Sequence, residues 1–225
     1  MRAIAIDGPA GVGKSTAAKN LSIKLGYIYV DTGALYRAIA HYTLSRGVGV
    51  NDEEAVSALL AGVKIELRFV DNEQRVFLNG EDITNKIRSE AVSMAASAVS
   101  ALPAVRGYLL SLQREIANEN NVVMDGRDIG TVVLPNADLK IFLTASPEER
   151  AKRRYGDLLK KGISADYDTV LQSLIKRDFD DSHRDISPLR PADDAIMVDT
   201  TENEVERTSE VLFKIVEENL KDVLV

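Results

Sequence analysis

The sequence predicts an α/β protein whose core is a parallel sheet flanked by helices. Short apolar runs alternate with segments of helical periodicity, an order typical of parallel strands joined by helices. Three of these runs end in aspartate, at Asp7, Asp31 and Asp125, and open α/β sheets bind ligands beyond the carboxyl ends of their strands. With 45% hydrophobic and 28% charged residues, a chain of 225 residues can bury a sizeable core.

Five apolar runs are the predicted strands, and they lie at residues 3–7, 27–31, 121–125, 138–144 and 195–199. A glycine-rich turn separates the first run from a predicted helix over residues 15–25, and a second helix begins near Thr32. Helical periodicity predicts three more helices, over residues 147–161, 166–184 and 204–221. The expected architecture is a five-stranded parallel sheet within one domain that spans residues 1–225.

One stretch departs from the parallel pattern. Residues 63–69 alternate apolar and polar side chains, and a second apolar run at residues 76–78 is followed by an Asn79-Gly80 turn. Such alternation predicts antiparallel strands with one solvated face. We interpret residues 62–85 as the core of a small inserted β/α region over about residues 62–100. The alternative is a hairpin at the edge of the main sheet.

Composition excludes several classes of function. The 28 lysines and arginines against 35 aspartates and glutamates give a net charge of −7, which disfavours binding to a nucleic-acid polymer. No long uncharged apolar run or signal-peptide core is present, so we expect no membrane span. The chain has no cysteine, which excludes disulfides, thiolate metal sites and thiol catalysis. We expect a cytoplasmic monomer whose partners are small molecules.

A phosphate-binding loop lies between the first predicted strand and the first predicted helix. Residues 8–15 match the pattern G-x-x-x-x-G-K-[ST], with an apolar strand before it and a helix after it. The glycines let successive N–H groups face inward, and the helix amino terminus adds partial positive charge. We expect Lys14, on an exposed loop, to reach the β- and γ-phosphates, and the Ser15 hydroxyl to bind Mg²⁺. The predicted ATP-binding residues are Gly8, Pro9, Ala10, Gly11, Val12, Gly13, Lys14, Ser15 and Thr16.

The third apolar run supplies a second candidate for the metal site. Asp125 ends this run and resembles the acid of phosphate-loop proteins that orients Mg²⁺, here expected to act through a water. The alternative is that Asp125 merely ends the strand and has no role in metal binding, since strands often end in aspartate. The guanine-recognition motifs of GTPases and the signature segment of ABC-type ATPases are missing from the sequence. Of these classes of phosphate-loop protein, the sequence therefore favours a small kinase.

Arginines indicate the acceptor of the phosphoryl group. Arg37 and Arg127 follow predicted strands. Arg150, Arg153 and Arg154 share one helix face at i, i+3, i+4 spacing, and Arg177, Asp181 and Arg184 share a face of the next helix at i, i+4, i+7 spacing. Transfer to an acceptor that is itself a phosphate brings two polyanions together, so cations must surround both. Two alternatives stay open. One is a kinase of a small hydroxylated metabolite with Asp31 as its base, and the other is a non-catalytic nucleotide-binding module.

Four segments of the chain resemble bacterial cytidylate kinases, which belong to the nucleoside monophosphate kinases. They are residues 8–16 (GPAGVGKST), 31–37 (DTGALYR), 125–133 (DGRDIGTVV) and 188–192 (PLRPA). The resemblance runs from residue 4 to about residue 201. It implies a P-loop kinase with a five-stranded parallel sheet, a small antiparallel insertion and a mobile lid over about residues 147–164. The implied reaction transfers phosphate from ATP to CMP or dCMP with Mg²⁺.

The resemblance also implies roles for individual residues. Arg37, Arg127 and Arg184 would contact the CMP phosphate, and Arg177 and Asp181 the ribose side. Ser97, Arg106 and Asp128 would contact the cytosine. The implied CMP-binding set is Thr32, Arg37, Ser97, Arg106, Arg127, Asp128, Arg177, Asp181 and Arg184, and the implied catalytic set is Lys14, Arg127, Arg150, Arg153 and Arg154. Without the resemblance, Asp128 would be interpreted as a cap of the following helix or a partner of Arg127.

Overall fold

The computed structural model describes residues 1–70, 73–160, 162–201 and 205–220. Its strands are β1 (Ala3–Asp7), β2 (Ile28–Asp31), β3 (Ile65–Val70), β4 (Glu73–Leu78), β5 (Glu81–Asp82), β6 (Val122–Gly126), β7 (Leu139–Thr144) and β8 (Ile196–Asp199). Its α-helices are α1 (Lys14–Leu25), α2 (Thr32–Ser45), α3 (Glu53–Leu60), α4 (Glu90–Val99), α5 (Pro103–Glu119), α6 (Pro147–Lys160), α7 (Tyr167–His183) and α8 (Val205–Asn219). A short 3₁₀ helix spans Lys86–Arg88, and a π-helical turn spans Ile129–Val133.

The main sheet has five parallel strands in the order β2-β6-β1-β7-β8, which confirms the predicted fold class. Its register places Asp7 beside Gly126 and Asp31 beside Asp125, so the carboxyl ends of the three neighbouring strands β2, β6 and β1 meet at one edge. All five predicted strands and the helices predicted over residues 15–25, 147–161 and 166–184 are found to within about a residue. The prediction over residues 204–221 corresponds to α8, and its two end residues lie outside the described residues.

Side chains of the central strand β1 explain why helices cover both faces of the sheet. Ile4 and Ile6 point to one face, where α1 and α8 pack, and Ala5 points to the other. All three side chains are fully buried. Alternation along a strand places successive side chains on opposite faces, and an apolar residue at every position therefore requires a layer of helices on each side.

The predicted antiparallel insertion is a sheet of its own. β3, β4 and β5 pair antiparallel, and Asn79 and Gly80 have the positive φ values of 50° and 86° that a tight hairpin favours. The alternative of an edge hairpin in the main sheet is wrong. The inserted sheet touches the main sheet through β4, where the Gln74 side chain accepts a hydrogen bond of 2.9 Å from the backbone N–H of Asp31.

No single helix among the described residues is long and apolar enough to cross a membrane. The helices α4 and α5 pass that test of length and composition only as a pair, bent by 99° at the break between them.

Replacing Ile6 with alanine should lower the free energy of unfolding by about 2–5 kcal/mol, because a fully buried side chain on the central strand leaves a cavity. Chemical denaturation measures this change. Ile23→Ala is the control, since this side chain on α1 is 52% exposed and its loss should cost less than about 0.5 kcal/mol. Equal losses in the two variants would contradict the packing described for β1.

Candidate active site

The phosphate-binding loop leaves β1 at Gly8, where the backbone passes close to β7. Gly8 has a φ of 146°, and a Cβ atom there would lie 2.3 Å from the carbonyl oxygen of Leu143. Only glycine fits such a close approach of two backbone segments. The loop ends at Gly13, whose left-handed conformation with a φ of 89° turns the chain into α1. The loop therefore presents its N–H groups and the amino terminus of α1 to one small volume.

Lys14 is the first residue of α1 and is 5% exposed, so the expectation that it sits on an exposed loop is wrong. Its ammonium group folds back and donates a hydrogen bond of 2.8 Å to the carbonyl oxygen of Pro9. Burial lowers the pKa of Lys14 below its usual range, and the nearby positive charge of Arg127 lowers it further. A phosphate group in the loop would oppose this shift by supplying negative charge, which favours the charged form of the lysine.

Asp125, at the end of β6, is held by two hydroxyl groups. Ser15 donates to its Oδ2 at 2.9 Å and Tyr29 donates to its Oδ1 at 3.0 Å. Burial raises the pKa of Asp125, and the charge of Asp31 on the neighbouring strand raises it further. Sequence reasoning missed Tyr29, because β2 and β6 are far apart along the chain and only the register of the sheet brings its hydroxyl to Asp125.

The donor set beside the phosphate-binding loop fits Mg²⁺. A hydroxyl and a carboxylate are the oxygen ligands that this ion prefers, and a cation would relieve the repulsion between Asp31 and Asp125. Within the described ranges no group of three or more histidine, aspartate or glutamate side chains forms a metal cage. Mg²⁺ rarely uses such cages, since one or two protein ligands, waters and substrate phosphates complete its octahedron.

The acid at the end of β2 positions an arginine. Asp31 caps α2 by accepting a hydrogen bond of 3.0 Å from the N–H of Ala34, and its other oxygen accepts one of 2.7 Å from Arg37. The neighbouring Thr32 is buried, and its hydroxyl donates to the backbone carbonyl of Asp125 at 2.7 Å. Both carboxylate oxygens of Asp31 are thus occupied by donors, which holds Arg37 at the edge of the sheet.

Asp128 forms the centre of a buried ion-pair cluster. Arg106 of α5 donates to its Oδ2, and Arg184, just beyond α7, has an Nη2 atom 3.8 Å from its Oδ1. The side chain of Asp128 does not cap the π-helical turn that follows, and its partners are these two arginines. The alternative interpretation, a helix cap or a pair with Arg127, is therefore wrong.

Arg127 instead pairs with Asp181 of α7, whose Oδ2 accepts from its Nε at 2.9 Å. Next to this pair, burial lowers the pKa of Arg177 to about 10, and Arg127 contributes to that shift. Within the part of the chain that the structure describes, the Nε of Arg177 and the Nη2 of Arg184 are buried donors without a hydrogen-bond partner. Buried donors of this kind are rare in folded proteins, and here they mark a place where an anionic ligand fits.

The three arginines of α6 have different partners, although their spacing predicted one shared face. Arg150 is 3% exposed, lies 2.6 Å from Asp178 of α7 and donates to the backbone carbonyl of Ala10 in the phosphate-binding loop at 3.1 Å. Arg153 donates to the backbone carbonyl of Thr200 beyond β8. Arg154 is partly exposed. Arg150 thus links α6 to the phosphate-binding loop through its hydrogen bond to Ala10.

Ser97 is a partly buried residue of α4, the helix that packs against α2. Its backbone carbonyl accepts a hydrogen bond of 2.8 Å from the Ser100 hydroxyl, and the Ser100 carbonyl in turn accepts one of 3.1 Å from Arg106. These contacts connect the end of α4 to the ion-pair cluster around Asp128.

Comparison with known proteins shows the family of the chain. A family model described as cytidylate kinase matches residues 4–219. A cytidylate kinase from Caldicellulosiruptor bescii is 51% identical over 214 residues, covering 95% of this chain and 93% of that protein. The chain belongs to the cytidylate kinase family. Like the other members it is an ATP-dependent kinase, and a cytidylate kinase from a Geobacillus species is 48% identical over 217 residues, with 96% of this chain and 97% of that protein covered.

Solved structures extend the comparison to the fold. A crystal structure of an uncharacterized protein from Eubacterium ventriosum superimposes with a TM-score of 0.52, covering 96% of this chain and 98% of that one. The two sequences share 16% identity, so this likeness concerns the fold alone. The solved structure thus agrees with the overall fold of this chain.

Nucleotide binding at pH 9 should take up a proton at Lys14, because phosphates restore the pKa that burial and Arg127 lower in the free protein. Calorimetric titration with ATP, without metal, in two buffers of different ionisation enthalpy measures the uptake. Lys14→Arg is the matched control, since a guanidinium stays charged at this pH. Absence of uptake in the unaltered protein, or equal uptake in the variant, would contradict the description of Lys14.

Proposed function

We propose that the chain transfers the γ-phosphoryl group of ATP to CMP, and also to dCMP, which yields ADP and the cytidine diphosphate. The observation that carries this proposal is the group of buried guanidinium groups beside the phosphate-binding loop, two of which, Arg177 and Arg184, have a donor atom with no hydrogen-bond partner among the described residues. Such an excess of cations suits an acceptor that is itself a phosphate. Membership of the cytidylate kinase family supports the choice of a cytidine nucleotide.

The acceptor needs no general base. A phosphate monoester has its second pKa near about 6, so CMP is largely a dianion at neutral pH and is already nucleophilic. Asp31 is occupied by Arg37 and by the N–H of Ala34, which disfavours the alternative of a hydroxyl kinase with Asp31 as its base. Catalysis then consists of positioning the two nucleotides and stabilising the charge that they bring together.

The P-loop N–H groups and Lys14 would hold the β- and γ-phosphates of ATP. Arg37, Arg127 and Arg184 would hold the acceptor phosphate, and Arg177 and Asp181 the ribose beside it. These side chains need no large rearrangement, because carboxylates already hold Arg37 and Arg127 in place.

Ser15 would bind Mg²⁺ directly, and Asp125 would bind it through a water. Held there by Ser15 and Asp125, Mg²⁺ would supply positive charge that neutralises part of the charge on the ATP phosphates. Tyr29 would keep the Asp125 carboxylate turned toward Ser15 through its hydrogen bond to Oδ1.

Asp128 and Arg106 would read the cytosine together with Ser97. A carboxylate accepts a hydrogen bond from the 4-amino group of cytosine and is repelled by the 4-carbonyl of uracil. A guanidinium donates to the N3 and O2 acceptors of cytosine and meets a donor at N3 of uracil. The buried ion pair between the two side chains fixes their mutual orientation before the base arrives.

A lid over about residues 147–164 would close on the bound nucleotides. Arg150 already contacts the phosphate-binding loop, and Arg153 and Arg154 would approach the phosphates upon closure, which excludes water from the transfer. The inserted region would extend over about residues 62–100. We also propose that the enzyme works as a monomer in the cytoplasm.

An acceptor panel with ATP and Mg²⁺ tests the proposed function. ADP release is measured with CMP, dCMP, UMP, AMP, GMP and shikimate as separate acceptors. We expect CMP and dCMP to give the highest kcat/KM values. Preference for shikimate or another hydroxyl acceptor would overturn the proposal in favour of a metabolite kinase. Failure of every acceptor would instead favour a nucleotide-binding module.

Replacing Asp128 with alanine should reduce kcat/KM far more for CMP than for UMP. The free-energy preference for CMP over UMP should therefore shrink by about 1–3 kcal/mol. Asp128→Asn should also reduce the preference for CMP over UMP, because an amide can donate a hydrogen bond to the 4-carbonyl of uracil. The control is Asp180→Ala, which removes an exposed carboxylate that pairs with Lys176 on α7. Equal proportional losses for both substrates would show that Asp128 has only a structural role.

A further inference from the structure

Asp7 is a buried carboxylate for which the reaction described above has no use. It ends β1, is 4% exposed, and accepts hydrogen bonds of 2.8 Å from the backbone N–H groups of both Ile129 and Gly130. Each of its oxygens therefore binds one of two successive amides. Burial raises the pKa of Asp7 to about 6, which shows that this charge is costly to keep in place.

The two amides belong to the start of the π-helical turn that follows Asp128. The turn is packed closely at Gly130, where a Cβ atom would lie 3.1 Å from Cδ of Lys140 and 3.4 Å from Oδ2 of Asp7. At its other end, Arg114 of α5 donates to the carbonyls of Val132 at 2.9 Å and Val133 at 3.0 Å. Side chains thus hold the turn at both ends, and π-helical turns are frequent at functional sites.

The sheet itself does not depend on this carboxylate. β1 pairs along its length with β6 on one side and β7 on the other. The position would be filled at lower electrostatic cost by an apolar residue, as at Ile4 and Ile6 of the same strand. What the carboxylate adds is a fixed position for the amide of Ile129, the residue directly after Asp128.

We propose that Asp7 is a positioning residue for the acceptor nucleotide, which orients Arg127 and Asp128 through the amides of Ile129 and Gly130. The inference rests on the proposed function, because those two side chains are the ones assigned to the phosphate and the base of CMP. Their guanidinium and carboxylate groups have further anchors in Asp181 and Arg106, but these anchors act on the side chains. Asp7 acts on the backbone that carries both.

Asp7 also precedes the phosphate-binding loop and lies close enough to Lys14 to influence its charge. A role in ATP binding is therefore the competing explanation. The two roles differ in the substrate that they affect. Loss of backbone positioning should weaken the selection of CMP, whereas a disturbed loop should weaken the binding of ATP.

The test replaces Asp7 with asparagine, whose single oxygen can accept from one of the two backbone amides while its NH₂ group faces the other and cannot accept from it. We expect KM for CMP to rise about tenfold and the preference for CMP over UMP to fall about fivefold, because small misplacements of binding groups are costly. The dissociation constant of an ATP analogue, measured by calorimetry, should change less than about twofold, since the loop keeps its own hydrogen bonds. Asp138→Asn is the matched control, because this carboxylate accepts from the N–H of Ala3 at 2.7 Å at the opposite end of β1.

Several results would overturn the proposal. An Asp7→Asn variant with a lower melting temperature but the CMP kinetics of Asp138→Asn would have lost only a structural contact. Equal weakening of ATP and CMP would assign Asp7 to the phosphate-binding loop. Absence of CMP turnover in the unaltered protein would mean failure of the proposed function, which is a separate result.

If the Asp7→Asn variant does not fold, the Arg114→Ala variant tests the proposal instead. This substitution releases the other end of the π-helical turn without changing a buried charge. The proposal then predicts a higher KM for CMP with unchanged affinity for the ATP analogue. An unchanged KM for CMP in this variant would show that anchoring of the turn does not set acceptor binding.

Discussion

Compensation of buried charge at the carboxyl edge of the parallel sheet is the constraint on which the rest of the site depends. Three neighbouring strands end in or beside a carboxylate, and a buried carboxylate is tolerated only where donors or cations surround it. In this chain, backbone amides, hydroxyl groups and an arginine surround the three carboxylates. Backbone amides of the π-helical turn hold Asp7, an arginine and a helix terminus hold Asp31, and two hydroxyls hold Asp125.

The same compensation is incomplete for the cations, and this imbalance supports the proposed binding of two nucleotides. Lys14 has a lowered pKa, and both Arg177 and Arg184 bury a donor atom that has no hydrogen-bond partner among the described residues. Two nucleotides with several negative charges would complete the balance that the free protein lacks. Preorganised cations of this kind cost no reorganisation when the phosphoryl group moves, because folding has already positioned them.

Local sequence signals predicted the strands, the phosphate-binding loop and the inserted hairpin, because each depends on residues that are neighbours in the chain. Glycine at positive φ, alternation in β3 and β4, and aspartate at strand ends are signals of this kind. The partners of buried charges were not predictable in this way. Asp128 meets Arg106 and Arg184, and Tyr29 reaches Asp125, only through the packing of α5 and α7 and the register of the sheet. Burial of Lys14 follows from the same packing.

A crystal structure of the protein with CMP and a non-hydrolysable ATP analogue tests the central claim most directly. The account predicts the 4-amino group of cytosine within hydrogen-bond distance of the Asp128 carboxylate, and the CMP phosphate contacted by Arg37, Arg127 and Arg184. The donors of Arg177 and Arg184 that lack partners in the free protein would then face nucleotide oxygens. A CMP molecule bound elsewhere, with these arginines still paired only to carboxylates, would contradict the account.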